Sequence, residues 1–113
     1  MSKDGGETWI EQRFDLQLPE PRCQGALLSV DRKRKKLLLF TNPSDLKSRI
    51  NMTLSVSKDH GTTWYKKIPI YKSHSAYSDL VELFNGNIFV LFEAGHKSPY
   101  EGIHYKIISK KEL

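Results

Sequence analysis

The chain has a single cysteine, Cys23, so no internal disulfide can staple it, and a disulfide-framed mini-domain is excluded. No apolar run approaches the roughly 18 residues of a membrane span. The opening residues, Met1-Ser2-Lys3-Asp4-Gly5-Gly6, lack the apolar stretch of a signal peptide. The compartment stays open, although one cysteine is compatible with an intracellular setting. Helical periodicity is absent, which points to an all-β chain. His60, His74, His96 and His104 are scattered without ligand spacing, so neither a metal nor another cofactor is expected. What is present fits one small soluble globular domain: 113 residues, 38% hydrophobic and 27% charged. The formal net charge is +5. That excess suits any anionic ligand. It is spread over both faces with no interleaved aromatic platform, so nucleic acid is not an expected partner.

Two segments repeat. Ser2-Lys3-Asp4-Gly5-Gly6-Glu7-Thr8-Trp9 returns as Ser57-Lys58-Asp59-His60-Gly61-Thr62-Thr63-Trp64. The shared residues are those of a tight turn: Asp accepts nearby backbone N–H groups, Gly takes positive φ, and Trp packs between neighbouring sheets. The spacing suits one propeller blade with a long loop. The boxes read as folding devices without a ligand.

Between and after them lie short strands. One is expected over 9–16, a four-stranded meander over 26–30, 36–41, 50–57 and 64–70, and three more strands over 77–84, 87–93 and 102–109. Asn85-Gly86 signals a type I′ hairpin, which sets Tyr77 opposite Ala94 and beside Glu93. In such a meander the boxes, Asp31–Lys35 and Asn85-Gly86 collect at one end. Longer loops, around 19–25, 42–49, 71–75 and 94–101, collect at the other and suggest a functional face there. Arg49, Tyr77 and Glu93 all fall at this upper end. From pattern alone Arg49 is more often a solvated loop charge and Tyr77 more often a core or interface ring, while Glu93 fits an ordinary exposed strand edge. The basic run Arg32–Lys36 reads as a solvated turn.

Several motifs in order resemble the C-terminal part of a sialidase: Pro21-Arg22-Cys23-Gln24-Gly25, Asn42-Pro43, Arg49, the box Ser57–Trp64, Ala76-Tyr77-Ser78-Asp79-Leu80 and Phe92-Glu93-Ala94-Gly95. Asp boxes occur in many unrelated β proteins, whereas the Arg49, Tyr77-Ser-Asp-Leu and Glu93 combination is specific. The resemblance implies an Asp-box β-propeller, with about the last two four-stranded blades of six present as one partial domain over 1–113. It implies an exo-α-sialidase that releases terminal sialic acid from glycoproteins, gangliosides and oligosaccharides. Tyr77 matches the nucleophile, Arg49 the last of three arginines on the sialic acid carboxylate, and Glu93 a glutamate that orients the first of them. Ala26 departs from the Ser often found after Cys-Gln-Gly.

The chemistry suits those roles. Sialic acid carries a carboxylate on its anomeric carbon, and a carboxylate nucleophile about 4 Å away would be repelled by roughly 4 kcal/mol at an effective dielectric near 20. A neutral tyrosine avoids this, and sialidases are the exception among glycosidases in using one. Arginine's planar fork binds carboxylates in bidentate fashion. In the family pattern the other two arginines, the acid/base aspartate and the tyrosine's glutamate partner all precede this segment. The chain alone is therefore expected to be inactive and to self-associate through uncovered blade faces. A non-catalytic sialoglycan-binding propeller is the alternative.

Overall fold

A computed structural model describes Met1–Leu113. It is all-β, with β1 (Ala26–Arg32), β2 (Lys35–Pro43), β3 (Ile50–Ser57), β4 (Lys66–Glu82), β5 (Ile88–Gly95), β6 (Gly102–Ile108) and a short 3-10 turn, Lys110–Glu112. The strands pair antiparallel in sequence order. This order follows from short connections, which leave each strand nearest its predecessor.

Where two strands over 64–70 and 77–84 are expected, the structure has one, β4, and the segment 71–75 is strand rather than loop. Its first part pairs with β3 from Lys66 to His74 and its second part with β5 from His74 to Glu82. The second part doubles back across the first sheet. The hydroxyls of Ser78 and Thr41 of β2 lie 2.9 Å apart, and Glu82 meets Arg32 at the far end of β1. Two blade-like layers are thus stacked and share a strand. The core between them holds Val30, Leu39, Leu54 and Val56 from one layer and Leu80, Ile88, Val90 and Ile108 from the other. Their spacing of two along each strand puts them on one face.

Two further expectations are corrected. Residues 9–16 form no strand, because no neighbouring strand lies alongside to take their backbone hydrogen bonds. Trp9 is 63% exposed instead of packed between sheets. The β4–β5 connection is also not a two-residue turn. Leu83 and Asn87 pair across a three-residue loop in which only Gly86 has positive φ, +84°. That is the turn-plus-bulge arrangement, which adds one residue to the loop. The whole register moves by one, so Leu80 faces Val90 and Ser78 faces Phe92.

Candidate active site

The shifted register decides how Tyr77 is held. Regular pairing stops at Ser78 and resumes at Ser75 with a bulge between them, so Tyr77 has no ladder partner. Its N–H donates instead to the Glu93 carboxylate, 3.1 Å away. Glu93 therefore sits beside Tyr77 as expected, but through the Tyr77 backbone. The ring of Tyr77 is half exposed in an open cleft of about 380 Å³ whose lining includes Gln24, Asp79, Leu91, Glu93 and Ile103. Arg49 stands at the start of β3, where Asn51 has φ of +61° and the register slips. The Arg49 carbonyl accepts the Ser75 N–H at 2.9 Å, which ties it to the bend of β4. Its guanidinium carbon lies 5.7 Å from the centre of the Tyr77 ring. The structure thus brings Arg49, Tyr77 and Glu93 to one edge of the stacked sheets.

Other residues at this edge, Arg22, Cys23, Gln24 and Tyr100, lie in loops expected at this end, but the sequence assigned them no role. The Arg49 guanidinium donates from Nη1 to the Tyr100 hydroxyl oxygen at 2.6 Å and from Nη2 to the Arg22 carbonyl at 2.9 Å. Two of its five N–H groups are thereby used, leaving three for an anionic ligand. The Cys23 thiol, and then the Tyr100 hydroxyl, raise the Arg49 pKa further. Burial pushes the Cys23 thiol up while Arg49 pulls it partly back. Gln24 accepts the Ser78 N–H through its side-chain oxygen at 3.2 Å, joining the Cys-Gln-Gly segment to the tyrosine's strand.

Tyr100 is placed by its loop. The Glu101 carboxylate accepts the N–H groups of Lys97 at 2.6 Å, Ser98 at 2.8 Å and His96 at 3.3 Å. These donors, Lys97 first, hold its pKa below the usual range. The turn is so tight that a Cβ on Gly95 would lie 2.3 Å from the Ser98 carbonyl oxygen. Gly95→Ala should therefore cost about 1–3 kcal/mol by forced repacking and release Tyr100 from Arg49. A thermal shift assay reads the first, and loss of the Tyr100–Arg49 contact by NMR the second. Unchanged stability would show that the loop relaxes freely.

The two boxes have matching internal bonds at the other end of the molecule. The Ser2 hydroxyl donates to Asp4 and accepts the Gly6 N–H, both at 2.8 Å. Ser57 does the same with Asp59 and Gly61 at 2.8 and 2.9 Å. Asp4 accepts the N–H and hydroxyl of Thr8, and Asp59 those of Thr63. Gly6 and Gly61 have φ of +95° and +84°. Trp64 packs on Phe40 with ring centres 6.1 Å apart and donates from Nε1 to Asp15 at 3.0 Å. The Thr8 and Thr63 hydroxyls, then the N–H groups of the same residues, lower the pKa of Asp4 and Asp59 from 3.8 to about 2. A depressed folded-state pKa stabilises the fold above the unfolded value and loses that contribution as pH falls toward the folded one. Stability should fall between pH 3.8 and about 2, and Asp59→Asn should flatten that part of the pH profile. A midpoint equally pH-dependent in the variant would remove the box from the account.

Two stacked antiparallel blades with Asp boxes at one end define a partial β-propeller of the sialidase type. The family described as BNR repeat-like domain matches residues 1–90. The chain belongs to this BNR-repeat family of sialidases. It is 34% identical over 102 residues to a sialidase of Bacteroides fragilis, covering 83% of this chain and 19% of the relative. To a sialidase of Micromonospora viridifaciens it is 30% identical over 101 residues, covering 84% and 16%. The chain thus spans under a fifth of the length of these relatives. The solved Hadza microbial sialidase Hz136 superposes with a TM-score of 0.81 at 29% identity, covering 97% of this chain and 22% of that one. The fold also matches an intramolecular trans-sialidase from Ruminococcus gnavus, TM-score 0.72 at 23% identity, with 99% and 27% covered.

Proposed function

We propose that these residues form one side of the sialic-acid site of an exo-α-sialidase that retains anomeric configuration. The observation that carries the reading is the convergence of Arg49, Tyr77 and Glu93 at one cleft edge. In this reading the Tyr77 oxygen attacks the anomeric carbon, its proton passing to a carboxylate base. The leaving oxygen takes a proton from a general acid, and water then cleaves the tyrosyl intermediate. Arg49 pairs with the sugar carboxylate through its free N–H groups. Glu93 holds the Tyr77 backbone and faces the cleft, where it is available to orient a second arginine.

Residues 1–113 constitute a partial domain in this reading, with one clamp arginine and no acid/base. The chain by itself should not hydrolyse a fluorogenic sialoside. Joined in frame to the preceding blades of the Bacteroides fragilis sialidase, in place of that enzyme's own final segment, it should. Hydrolysis by the isolated chain, or a folded chimera without hydrolysis, would overturn the assignment. Support for the partial-domain reading lies in exposed apolar side chains: Phe14 and Leu16 before the first strand, and Val81, Tyr105 and Ile107 on the outer face of the second layer. Faces of this kind are normally covered by neighbouring repeats. The isolated chain should sediment as multimers. A monomer that unfolds in one sharp transition would mean that two blades suffice.

A further inference from the structure

We propose that the end of the molecule opposite Arg49 and Tyr77 carries a second site, one that binds a tetrahedral oxyanion such as phosphate, sulfate or a sugar ester of either. The inference is independent of the sialidase reading. A hollow of about 360 Å³ lies there, with Arg32 and Lys35 from the β1–β2 turn, Lys58 from the second box and Lys110 from the final 3-10 turn around it. Tyr65, the buried Leu37 and Leu113 complete the wall. Three separate segments thus bring four cations together; Glu82 pairs with Arg32, and no acidic side chain pairs with the three lysines.

The run Arg32–Lys36 is therefore not wholly a solvated turn. Arg32 is partly buried and bound by Glu82 and by the Gly86 carbonyl at 2.7 Å. Its Nε–H is buried without any acceptor. Apart from Arg32–Glu82, the chain's only other ion pair is Arg13–Glu11. Lys35, Lys58 and Lys110 thus have no carboxylate within ion-pair reach, and the C-terminal carboxylate of Leu113, at the same hollow, pairs with none of them.

The site is also braced. The Lys58 ammonium lies 5.1 Å above the centre of the Tyr65 ring. The Lys110 N–H donates to the Asn87 side chain at 3.1 Å, and the Ser109–Glu112 capping box fixes that turn. In the β1–β2 turn, Lys33 and Arg34 adopt φ of +31° and +78°, a conformation that Gly or Asn takes more easily. Unneutralised like charges repel, and a bound anion relieves that repulsion. Three unpaired lysines around Arg32 match a group with several charged acceptor oxygens better than a single carboxylate does.

The test uses the whole chain and ligand-observed saturation-transfer NMR, which tolerates self-association. The probes are N-acetylglucosamine 6-phosphate and 6-sulfate, with neutral N-acetylglucosamine as control. Saturable transfer is expected from both esters and none from the neutral sugar. Competition by inorganic phosphate or sulfate at equal concentration identifies the free ion as the ligand, and competition only in more than about tenfold excess identifies the sugar ester. The triple variant Lys35→Ala, Lys58→Ala, Lys110→Ala should weaken binding by about tenfold or more. Lys33→Ala, Lys36→Ala, Lys111→Ala removes the same charge from the same end and should change it by less than about twofold. Equal losses in the two variants would reduce the effect to diffuse charge and overturn the site, as would transfer that never saturates.

Discussion

Tyr77→Phe in the chimeric enzyme should lower kcat/KM for a fluorogenic sialoside by on the order of 10³-fold or more, the scale on which removing a nucleophile acts. The expected loss is about 4 kcal/mol of transition-state stabilisation. The substitution deletes one oxygen and keeps the ring, so packing and the contact with Arg49, 5.7 Å from the ring centre, persist. The Tyr77 N–H still reaches Glu93 because that bond comes from the backbone. Affinity for a planar sialic acid analogue that cannot react should therefore stay close to that of the parent. Turnover that survives the substitution would remove Tyr77 from the nucleophile's role, whatever the analogue does. Loss of analogue affinity alongside turnover would instead mean that the hydroxyl binds substrate.

Arg49→Ala should separate binding from chemistry in the opposite way. Deleting one arm of a charge-assisted clamp leaves the ligand carboxylate underpaired, at a cost of roughly 1.5–3 kcal/mol or more. Analogue affinity and kcat/KM should fall together, by about 10- to 150-fold. Arg49→Lys keeps the charge but forfeits the fork, and with it simultaneous bonds to the Tyr100 hydroxyl and the Arg22 carbonyl. It should fall between the two. Isothermal titration with the analogue checks both variants without reference to turnover. Affinity unchanged in Arg49→Ala would place the carboxylate elsewhere.

These expectations depend on features of unequal legibility. The strands β1, β2, β3, β5 and β6 were visible in alternating or continuous apolar runs, because a strand's two faces impose a period of two on the chain itself. Both boxes were visible for a similar reason. The hydrogen bonds among their Ser, Asp, Gly and Thr residues join positions no more than four apart, such as Ser57 to Gly61 and Thr63 to Asp59, so the turn is self-contained, and in the second box it is Trp64 that reaches distant residues. Arg49, Tyr77 and Glu93 could be placed at one end because alternating strand direction assigns each connection to an end. Their family resemblance singled them out from other loop residues.

Folding in three dimensions decided the rest. The β4–β5 loop holds three residues instead of two, a choice that turns on which of Asn85 and Gly86 takes positive φ, and only Gly86 does. That single residue moves the register, and a separate bulge between Ser75 and Ser78 takes Tyr77 out of the ladder. The reversal within β4 has no breaker at its bend, since Tyr71-Lys72-Ser73-His74-Ser75 contains neither Gly nor Pro, and it exists because the second layer buries Leu80, Val90 and Ile108 on the first. Trp9 and the segment after it carry a strand's residue pattern but lack a neighbour to bond. Tyr100 and Arg49 are 51 residues apart, and Arg22 reaches the same guanidinium from 27 residues away. Short-range pattern records which faces are apolar and which turns are tight. It does not record contacts between distant loops, because those depend on how two sheets stack and on a one-residue difference in a hairpin that no nearby residue reports.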